Sequence, residues 1–482
     1  MNDLDRRRWE HLLFWLRDVH GMDIGEHCFH VEAREVEGAG RGLFALRDCP
    51  SGATLFKVPS TALLNRITVA KLYPQLHKRK LSATQLISLH LLLHKPSGDN
   101  DSSDRVFGPY ISTLPREFSS HPLTWMVKQA LKQESNWEHR YLALLPPSSS
   151  RKVTELHKRF RHDWETVSAT LVETATPRSS QLDVSSAAFR DKDNVDLVLD
   201  YLWAWLSVNT RCIFYRIRAN RADPDNFTLC PVLDFANHSN SRTHIFPVVD
   251  SQPWGVVSKK PSTHFAFLGP SQGVIAKGQE LYLQYGDHSN SFLFSEYGFV
   301  NGTPEGAIQS GVYPGQVDVQ ELVEELFAER GSLGLRLKSV LEDEGYWGDW
   351  TLHSAPTPAH PSYRLTTALR LLHVFDRVDT DNDRGMAFET GVETWRNVVN
   401  GHADNISPEN EDDWRRTLFR ICDCIRDRAR SQLDAMAALD WDDGWNPKSW
   451  QKWMADNVVA LWTEEHEVSE AVMQSAMSGV EY

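Results

Sequence analysis

The amino-acid sequence predicts an α+β fold in which short strands are split by a helical insert and followed by an all-α C-terminal domain. Three observations predict it. Apolar and polar residues alternate between glycine turns over 27–60, the period-two pattern of half-buried strands. The same pattern returns from Cys230 to Val300, after a long stretch with helical spacing. Beyond Asn301 the alternation stops and helical spacing runs on. The segments are 1–26, an N-terminal helix; 27–60, the first β segment; 61–195, the helical insert; 196–303, the second β segment; and 304–482, the helical C-terminal domain.

The elements follow in order. Trp9, Leu12, Leu13, Leu16 and Val19 fall at helical spacing within 5–20, and Gly21 supplies a stop. Phe29, Val31 and Ala33 then alternate with polar residues up to the turn Glu37-Gly38-Ala39-Gly40-Arg41-Gly42. Leu43–Leu46 and Thr54–Val58 follow, separated by Pro50-Ser51-Gly52. The glycine turn is not a dinucleotide fingerprint, because the last glycine comes too early and no helical run follows. Leu81–His94, Thr124–Gln133 and Val153–Leu171 have helical spacing, while 97–104 and 174–186 have the composition of mobile loops. The basic run His157–His162 is expected on a solvated helix face. Asn194–Ile217 is compatible with one long helix, with Trp203 and Trp205 in the core and Thr210 and Arg211 near its end.

Ile245–Val249, His264–Phe267 and Val274–Ile275 are expected as strands. Val319–Arg330, Leu333–Glu342, Arg364–Phe375, Thr390–Asn400, Trp414–Leu439 and Val458–Met477 are expected as helices. Asp379–Gly385 imitates a calcium loop but fails as one: its glycine is one position late, and the twelfth residue is Thr390 rather than glutamate.

Composition bounds the function. A chain of 482 residues can bury a large core and form more than one domain. A net charge of −14 argues against nonspecific DNA binding and suits attraction of a basic protein. The six cysteines, Cys28, Cys49, Cys212, Cys230, Cys422 and Cys424, contain no Cys-x-x-Cys pair, so neither a disulfide framework nor a metal site is expected. Cys422-Asp-Cys424 lies in a helix-like run without a further cysteine to complete a zinc site. No apolar run approaches the ~20 residues of a membrane span, and the charged N-terminus lacks a signal-peptide core. A reducing compartment, cytosol or nucleus, is the expectation.

Two short stretches carry the chemistry. In Pro231–Asn240, an apolar strand at Val232 and Leu233 runs into Asp234, Asn237 and His238, which place donors and acceptors together. In Gly278–Asp287, a turn at Lys277-Gly278 leads to Leu281 and Leu283 on one face and Tyr282 and Gln284 on the other. That stretch ends at Tyr285-Gly286, where glycine permits a sharp turn. Ser295–Val300 follows with Tyr297 and Phe299. Asp234, His238 and Ser239 do not make a hydrolytic triad, since Ser239 adjoins His238 and no nucleophile elbow surrounds it.

Asn237-His238-Ser239 and Glu280–Gly286, together with the N-terminal glycine turn, resemble the SET-domain family of protein lysine methyltransferases. Gly108-Pro-Tyr-Ile-Ser-Thr-Leu-Pro115 and the helical insert resemble the subgroup related to the Rubisco large-subunit methyltransferase. In that subgroup the SET β-fold is split by the insert, and a helical C-terminal domain helps bind the protein substrate. The resemblance implies S-adenosyl-L-methionine as cofactor. It would be bound by Glu37, Gly38, Ala39 and Gly40 of the turn, by Thr210 and Arg211 where the subgroup has Ser-Arg, and by Asn237 and His238, with Asp234 ordering their turn. Tyr297 would pack over the adenine, Arg211 and Phe299 would border the lysine pocket, and Tyr285 would be the catalytic tyrosine.

The implied partner is a non-histone protein, for example a ribosomal one, with no metal, nucleic acid or membrane and a monomeric chain. Protein-histidine methylation and a non-catalytic peptide-binding adaptor are the alternatives, and the intact Tyr285 and Asn237 argue against the adaptor. The chemistry is in-line displacement onto a neutral amine. A free lysine, pKa ~10.4, must lose its proton, and an apolar channel favours this by desolvation. Tyr285 is the group expected to align the amine.

Overall fold

Asp3–Asp18 is the first helix, capped by Asn2, whose side chain accepts from the Asp5 amide, and followed by Gly21 at φ 70°. It buries Trp9, Leu12, Trp15 and Leu16, whereas Val19 is 67% exposed. Trp15 therefore takes the place on the apolar face that helical spacing gave to Val19. The computed structural model that provides these coordinates describes all residues except 37, 39, 77–78, 134–135, 175–193, 219, 221, 249–262, 303–305, 309, 377–383, 440–449 and 479–482. It divides into two units, Met1–Glu134 with Val153–His288 and Ser135–Lys152 with Ser289–Tyr482.

Among the described residues the first unit holds three small antiparallel sheets. One pairs Val31–Val36 with Gly40–Ala45 and then with Glu280–Leu281. Gly38 and Gly40, at φ 78° and 76°, close this hairpin in the left-handed region that glycine enters without strain. The second sheet orders Thr54–Pro59, His264–Leu268 and Phe246–Val248, with the Phe56 and Phe267 rings 4.7 Å apart between its strands. The third orders Leu64–Asn65, Phe227–Leu229 and Ile213–Phe214. The strand expected at Val274–Ile275 is reduced to one bridge between Ile275 and Cys49.

Helices Ala83–Leu93 and Val195–Arg211 pack together in this unit, capped by Ser82 and Asn194. The tryptophans are core, as expected. Trp205 is buried against Phe160 and donates Nε1–H to Asp163 at 2.9 Å. In the basic run, Lys158, Arg159 and Arg161 face solvent while Phe160 turns inward.

The 97–104 loop departs from expectation. Arg8, only 3% exposed, donates to Asp101 at 2.9 Å and to the Asn100 carbonyl at 2.7 Å. A buried guanidinium requires acceptors, so the loop is fixed where its composition suggests mobility. The Ser/Thr-rich stretch beyond Thr174 and the Asp379–Asp383 run lie outside the described residues.

The second unit is helical over Asn136–Leu144, Gln320–Glu329, Gly331–Asp343, Tyr363–His373, Arg384–Val399, Pro408–Ala437 and Trp450–Met477. It also contains one feature that the helical pattern hides, a three-stranded sheet of Gln316–Asp318, Thr351–His353 and His360–Pro361. Strands of two or three residues are too short for alternation to register. Residues 135–152 pack in this unit although they interrupt the first in sequence: Tyr141 is buried and donates to the Gln451 carbonyl at 2.6 Å. Cys422 is buried and Cys424 exposed on the same helix, and neither is in a disulfide. Among the described residues no helix is long and apolar enough to cross a membrane.

Glu464, on the last helix, is 4% exposed. Its carboxylate accepts from Asn290 Nδ2 at 2.8 Å and the Gln316 amide at 2.9 Å, yet burial pushes its pKa up to about 7. A raised carboxyl pKa means the folded state retains a proton that the unfolded state releases. The associated stability is present below the unfolded pKa and lost as pH rises through about 7. Glu464→Gln removes this titration. The difference in melting temperature between variant and wild type should therefore move in the variant's favour between pH 5 and pH 8, as read by scanning fluorimetry; a difference independent of pH would refute the assignment.

Candidate active site

The turn after Cys230 is not the expected strand. Leu233–Phe235 forms a single 3₁₀ turn, and Val232 before it has φ 73°. A β-branched residue in the left-handed region is strained and persists only where its surroundings dictate it. Here Val232 is fully buried, the Asp234 amide bonds back to the Cys230 carbonyl at 3.2 Å, and the Phe235 amide to that of Val232 at 3.2 Å. Local alternation could not reveal this, because the reversal is imposed by burial and by these two bonds.

Past Ala236 the chain runs beside the second stretch. His238 and Leu283 form a parallel bridge, the Leu283 amide donates to the Asn237 carbonyl at 2.9 Å, and the Ser239 amide to the Leu283 carbonyl at 3.3 Å. The two motifs are thus joined through backbone. Side chains reinforce the join. Asn237 Nδ2 donates to Glu280 Oε1 at 2.8 Å, and the Tyr282 hydroxyl to Glu280 Oε2 at 2.6 Å. Gly42 makes room for the pair: a Cβ there would lie 2.6 Å from Glu280 Oε1, 2.9 Å from Val36 Cγ2 and 3.1 Å from Asn237 Nδ2.

His238 Nδ1 accepts from the Tyr285 amide at 3.1 Å, and the two rings lie 5.0 Å apart. Accepting at Nδ1 requires a neutral ring, and burial lowers the His238 pKa in that direction. The Tyr285 hydroxyl donates to the Ala236 carbonyl at 2.9 Å. Burial pushes its pKa up to about 12, so it is a phenol, not a phenolate, at neutral pH. Gly286 is not in a left-handed conformation, and a Cβ there would meet the far end of the His288 ring at 2.2 Å.

Charged groups close the cluster. Arg211 donates to the Asp234 carbonyl at 3.0 Å, while the Thr210 hydroxyl donates within its own helix to Leu206 O at 2.7 Å. Asp234 Oδ2 accepts from the Tyr110 hydroxyl at 3.2 Å. Burial raises the Asp234 pKa to about 6 although Arg211 and Arg41 pull it down. Arg41 lies over the Phe235 ring at 4.6 Å and donates to the Thr113 carbonyl; burial, then the charge of Arg211, brings its pKa down to about 10.

The structure brings together Thr210, Arg211, Asp234, Asn237, His238 and Tyr285. Gly38 and Gly40 form the hairpin end on the strand pair that carries Gly42. Glu37 and Ala39 lie outside the described residues. Tyr297 and Phe299 belong to the second unit, where helix Asn290–Tyr297 ends at Gly298 with φ 81° and their rings are 6.1 Å apart. Arg41, Tyr110, Glu280 and Tyr282 are the participants that sequence reasoning missed. Each lies within a stretch already singled out, but its partner is set only by tertiary contact.

Gly42→Ala should lower stability by about 1–3 kcal/mol, the usual cost of forcing extra volume into a packed site. In a Glu280→Ala background the loss should shrink, because the nearest obstacle is gone. Urea unfolding of the four proteins measures this coupling; strict additivity would show that the clash is relieved elsewhere.

No family model matches the chain. It is 27% identical to Ribosomal lysine N-methyltransferase 2 of Saccharomyces cerevisiae over 317 residues, which are 62% of this chain and 60% of that protein. It is 25% identical to Ribosomal lysine N-methyltransferase set11 of Schizosaccharomyces pombe over 348 residues, covering 71% and 70%. It is 26% identical to SET domain-containing protein 4 of Homo sapiens over 394 residues, covering 77% and 74%. The first of these matches thus spans less than two thirds of its relative's length. Among solved structures, Rubisco LSMT bound to AdoMet superposes with a TM-score of 0.59 at 17% identity over 99% of this chain and 92% of that one. Rubisco LSMT bound to sinefungin and monomethyllysine gives 0.60 at 16% identity, covering 99% and 92%. These likenesses establish the fold.

Proposed function

We propose that this chain, a member of the SET-domain protein-lysine methyltransferases with a split SET fold, transfers a methyl group from S-adenosylmethionine to a lysine amine of a non-histone protein. The observation that carries the reading is the junction of the two motifs: Tyr285, seated on the Ala236 carbonyl beside a neutral His238, next to Asn237 anchored by Glu280. The relatives' names and the AdoMet-bound neighbours support it.

The residues present fit such a cofactor. Asp234 Oδ1 is a buried acceptor without a hydrogen bond to another described residue, in the turn that leads to Asn237 and His238. Gly38 and Gly40 at the hairpin end are exposed and carry no side chain. Asn237, His238, Thr210, Arg211 and the glycine turn, including Glu37 and Ala39, would hold the cofactor, with Asp234 ordering the turn. When bound, S-adenosylmethionine supplies a methyl group activated by a positively charged sulfur.

The chain's own groups then have definite tasks. The Tyr285 proton is engaged by Ala236, so toward an amine its oxygen acts as an acceptor. With a pKa near 12, Tyr285 positions the amine and does not deprotonate it. The neutral amine arises instead from desolvation in an apolar channel beside Arg211. Holding the amine in line can account for ~7–11 kcal/mol of the barrier.

The substrate class that the relatives' names favour is a ribosomal protein, docked with help from the second unit. A monomer acting in cytosol or nucleus completes the proposal. Histidine methylation has no comparable support, since the relatives cited by activity are lysine N-methyltransferases.

Tyr285→Phe keeps the ring and should retain S-adenosylhomocysteine binding while kcat falls ~10²–10³-fold, the usual loss for one transition-state contact. Single-turnover methylation of lysate proteins from cells lacking the enzyme, read by mass spectrometry of the labelled lysine, tests both the activity and the residue; a wild-type rate would remove Tyr285 from the mechanism. Asn237→Ala should abolish S-adenosylhomocysteine binding in calorimetry with the protein still folded, and unchanged affinity would move the site elsewhere.

A further inference from the structure

A second group of side chains in the first unit stands apart from the methyl-transfer machinery. His90 and His94 lie four residues apart, at the end and the C-cap of helix Ala83–Leu93, and so face the same side. Asp104 meets them from the fixed loop. We propose that His90, His94 and Asp104 form a binding site for a divalent first-row transition ion, with zinc as the probe.

The geometry is that of a ligand set. His90 Nε2 is 3.4 Å from Asp104 Oδ2, and His94 Nε2 is 3.9 Å from Asp104 Oδ1. Two donors each ~2.0–2.1 Å from one tetrahedral zinc ion are ~3.3–3.4 Å apart. One available donor atom from each residue lies within 4.8 Å of the others. His94 has the freedom to close the remaining gap, because its side chain is 28% exposed while those of His90 and Asp104 are 0% and 6%.

His90 has one ring nitrogen engaged by Tyr73 and the other turned toward the carboxylate. His90 Nε2 is buried and faces the carboxylate, yet it has no hydrogen bond. Its other nitrogen, Nδ1, is 2.8 Å from the Tyr73 hydroxyl. When Nδ1 donates to that oxygen, Nε2 presents a bare lone pair toward Asp104, an arrangement that repels unless a cation lies between them. In that tautomer Tyr73 stands where the outer partner of a metal-bound histidine does, and its hydroxyl also lies 3.5 Å from His94 Nε2. Asp104 is held in place by the Phe107 amide at 2.6 Å. Two imidazoles and a carboxylate are a borderline-soft set suited to zinc, and three protein ligands leave one position open.

The consequence reaches the methyl-transfer site. Asp104 heads the turn into helix Gly108–Ile111, which carries Tyr110, and Tyr110 donates to Asp234. An ion at Asp104 would fix the start of that helix.

The test is elemental analysis of full-length protein purified without chelator or immobilised metal. About one zinc per chain is expected, together with visible d–d bands after cobalt replacement and a higher melting temperature when zinc is returned to chelated protein. His94→Ala and Asp104→Asn should each lose the ion and the thermal response. Wild-type protein with no bound metal, no cobalt bands and no thermal response to zinc overturns the proposal, even if neither variant folds. Undiminished zinc content in both folded variants overturns it as well.

Discussion

Asn237, Glu280 and Gly42 come from three distant parts of the chain and share one small space. The amide of Asn237 is bonded to a carboxylate whose position depends on the absence of a side chain at Gly42. Glu280 is also the residue that extends the first hairpin into a three-stranded sheet, pairing with Phe44. One contact therefore sets the edge of a sheet, the direction of the turn after Ala236 and the side chain at its head. Leaving a buried amide or carboxylate unpaired costs more than a made bond contributes, so the arrangement is held as a whole. His238 and Tyr285 follow from it, because the backbone bridge between Asn237 and Leu283 fixes the distance at which the imidazole meets the Tyr285 amide.

Around that junction the charges are mixed in an informative way. Arg41 and Arg211 both act on Asp234, and Asp234 is disfavoured as an anion in spite of them. Beside the Asp234 and Glu280 carboxylates the same cluster presents neutral oxygens, the Tyr285 phenol and the Ala236 carbonyl. A ligand that carries both a carboxylate and a cationic sulfur, as S-adenosylmethionine does, matches such a division: guanidinium groups suit the one, and oxygen lone pairs suit the other without the desolvation penalty of a full negative charge.

What the sequence revealed was whatever is written contiguously. Asn237-His238-Ser239 and the Glu280–Gly286 stretch are short, so their residue types were visible together, as were the long helices with repeated apolar positions. The parts that escaped are set by partners far away. Val232 has the composition of a strand residue but is turned left-handed by the bonds of Asp234 and Phe235. Gly286 has the look of a turn glycine but is not left-handed, and a Cβ there would meet the far end of the His288 ring. Arg41 sat inside the quoted glycine turn, and its position over Phe235 could not be inferred from neighbours in sequence. The loop at 97–104 has a disordered composition and is nevertheless pinned by one buried arginine from the first helix.

Neither unit is built from one continuous segment, and this bears on how the chain can be dissected. The second unit recruits residues 135–152 from the middle of the sequence. Within it, Arg151 and Lys152 both pair with Asp318, and Ser148 donates to Glu465, which is also held by Arg428. Trp462 donates to the Leu144 carbonyl at 2.8 Å. A cut near residue 304 would remove the acceptor of Tyr141 and the Asp318 carboxylate shared by Arg151 and Lys152, exposing apolar surface and unpaired charge on the piece that stays behind. A buried ion pair stripped of one member costs far more than the intact pair contributes. The helical C-terminal region is therefore not an appendage that can be removed cleanly, and loss of activity after such a cut would report misfolding of 135–152 as readily as loss of substrate docking.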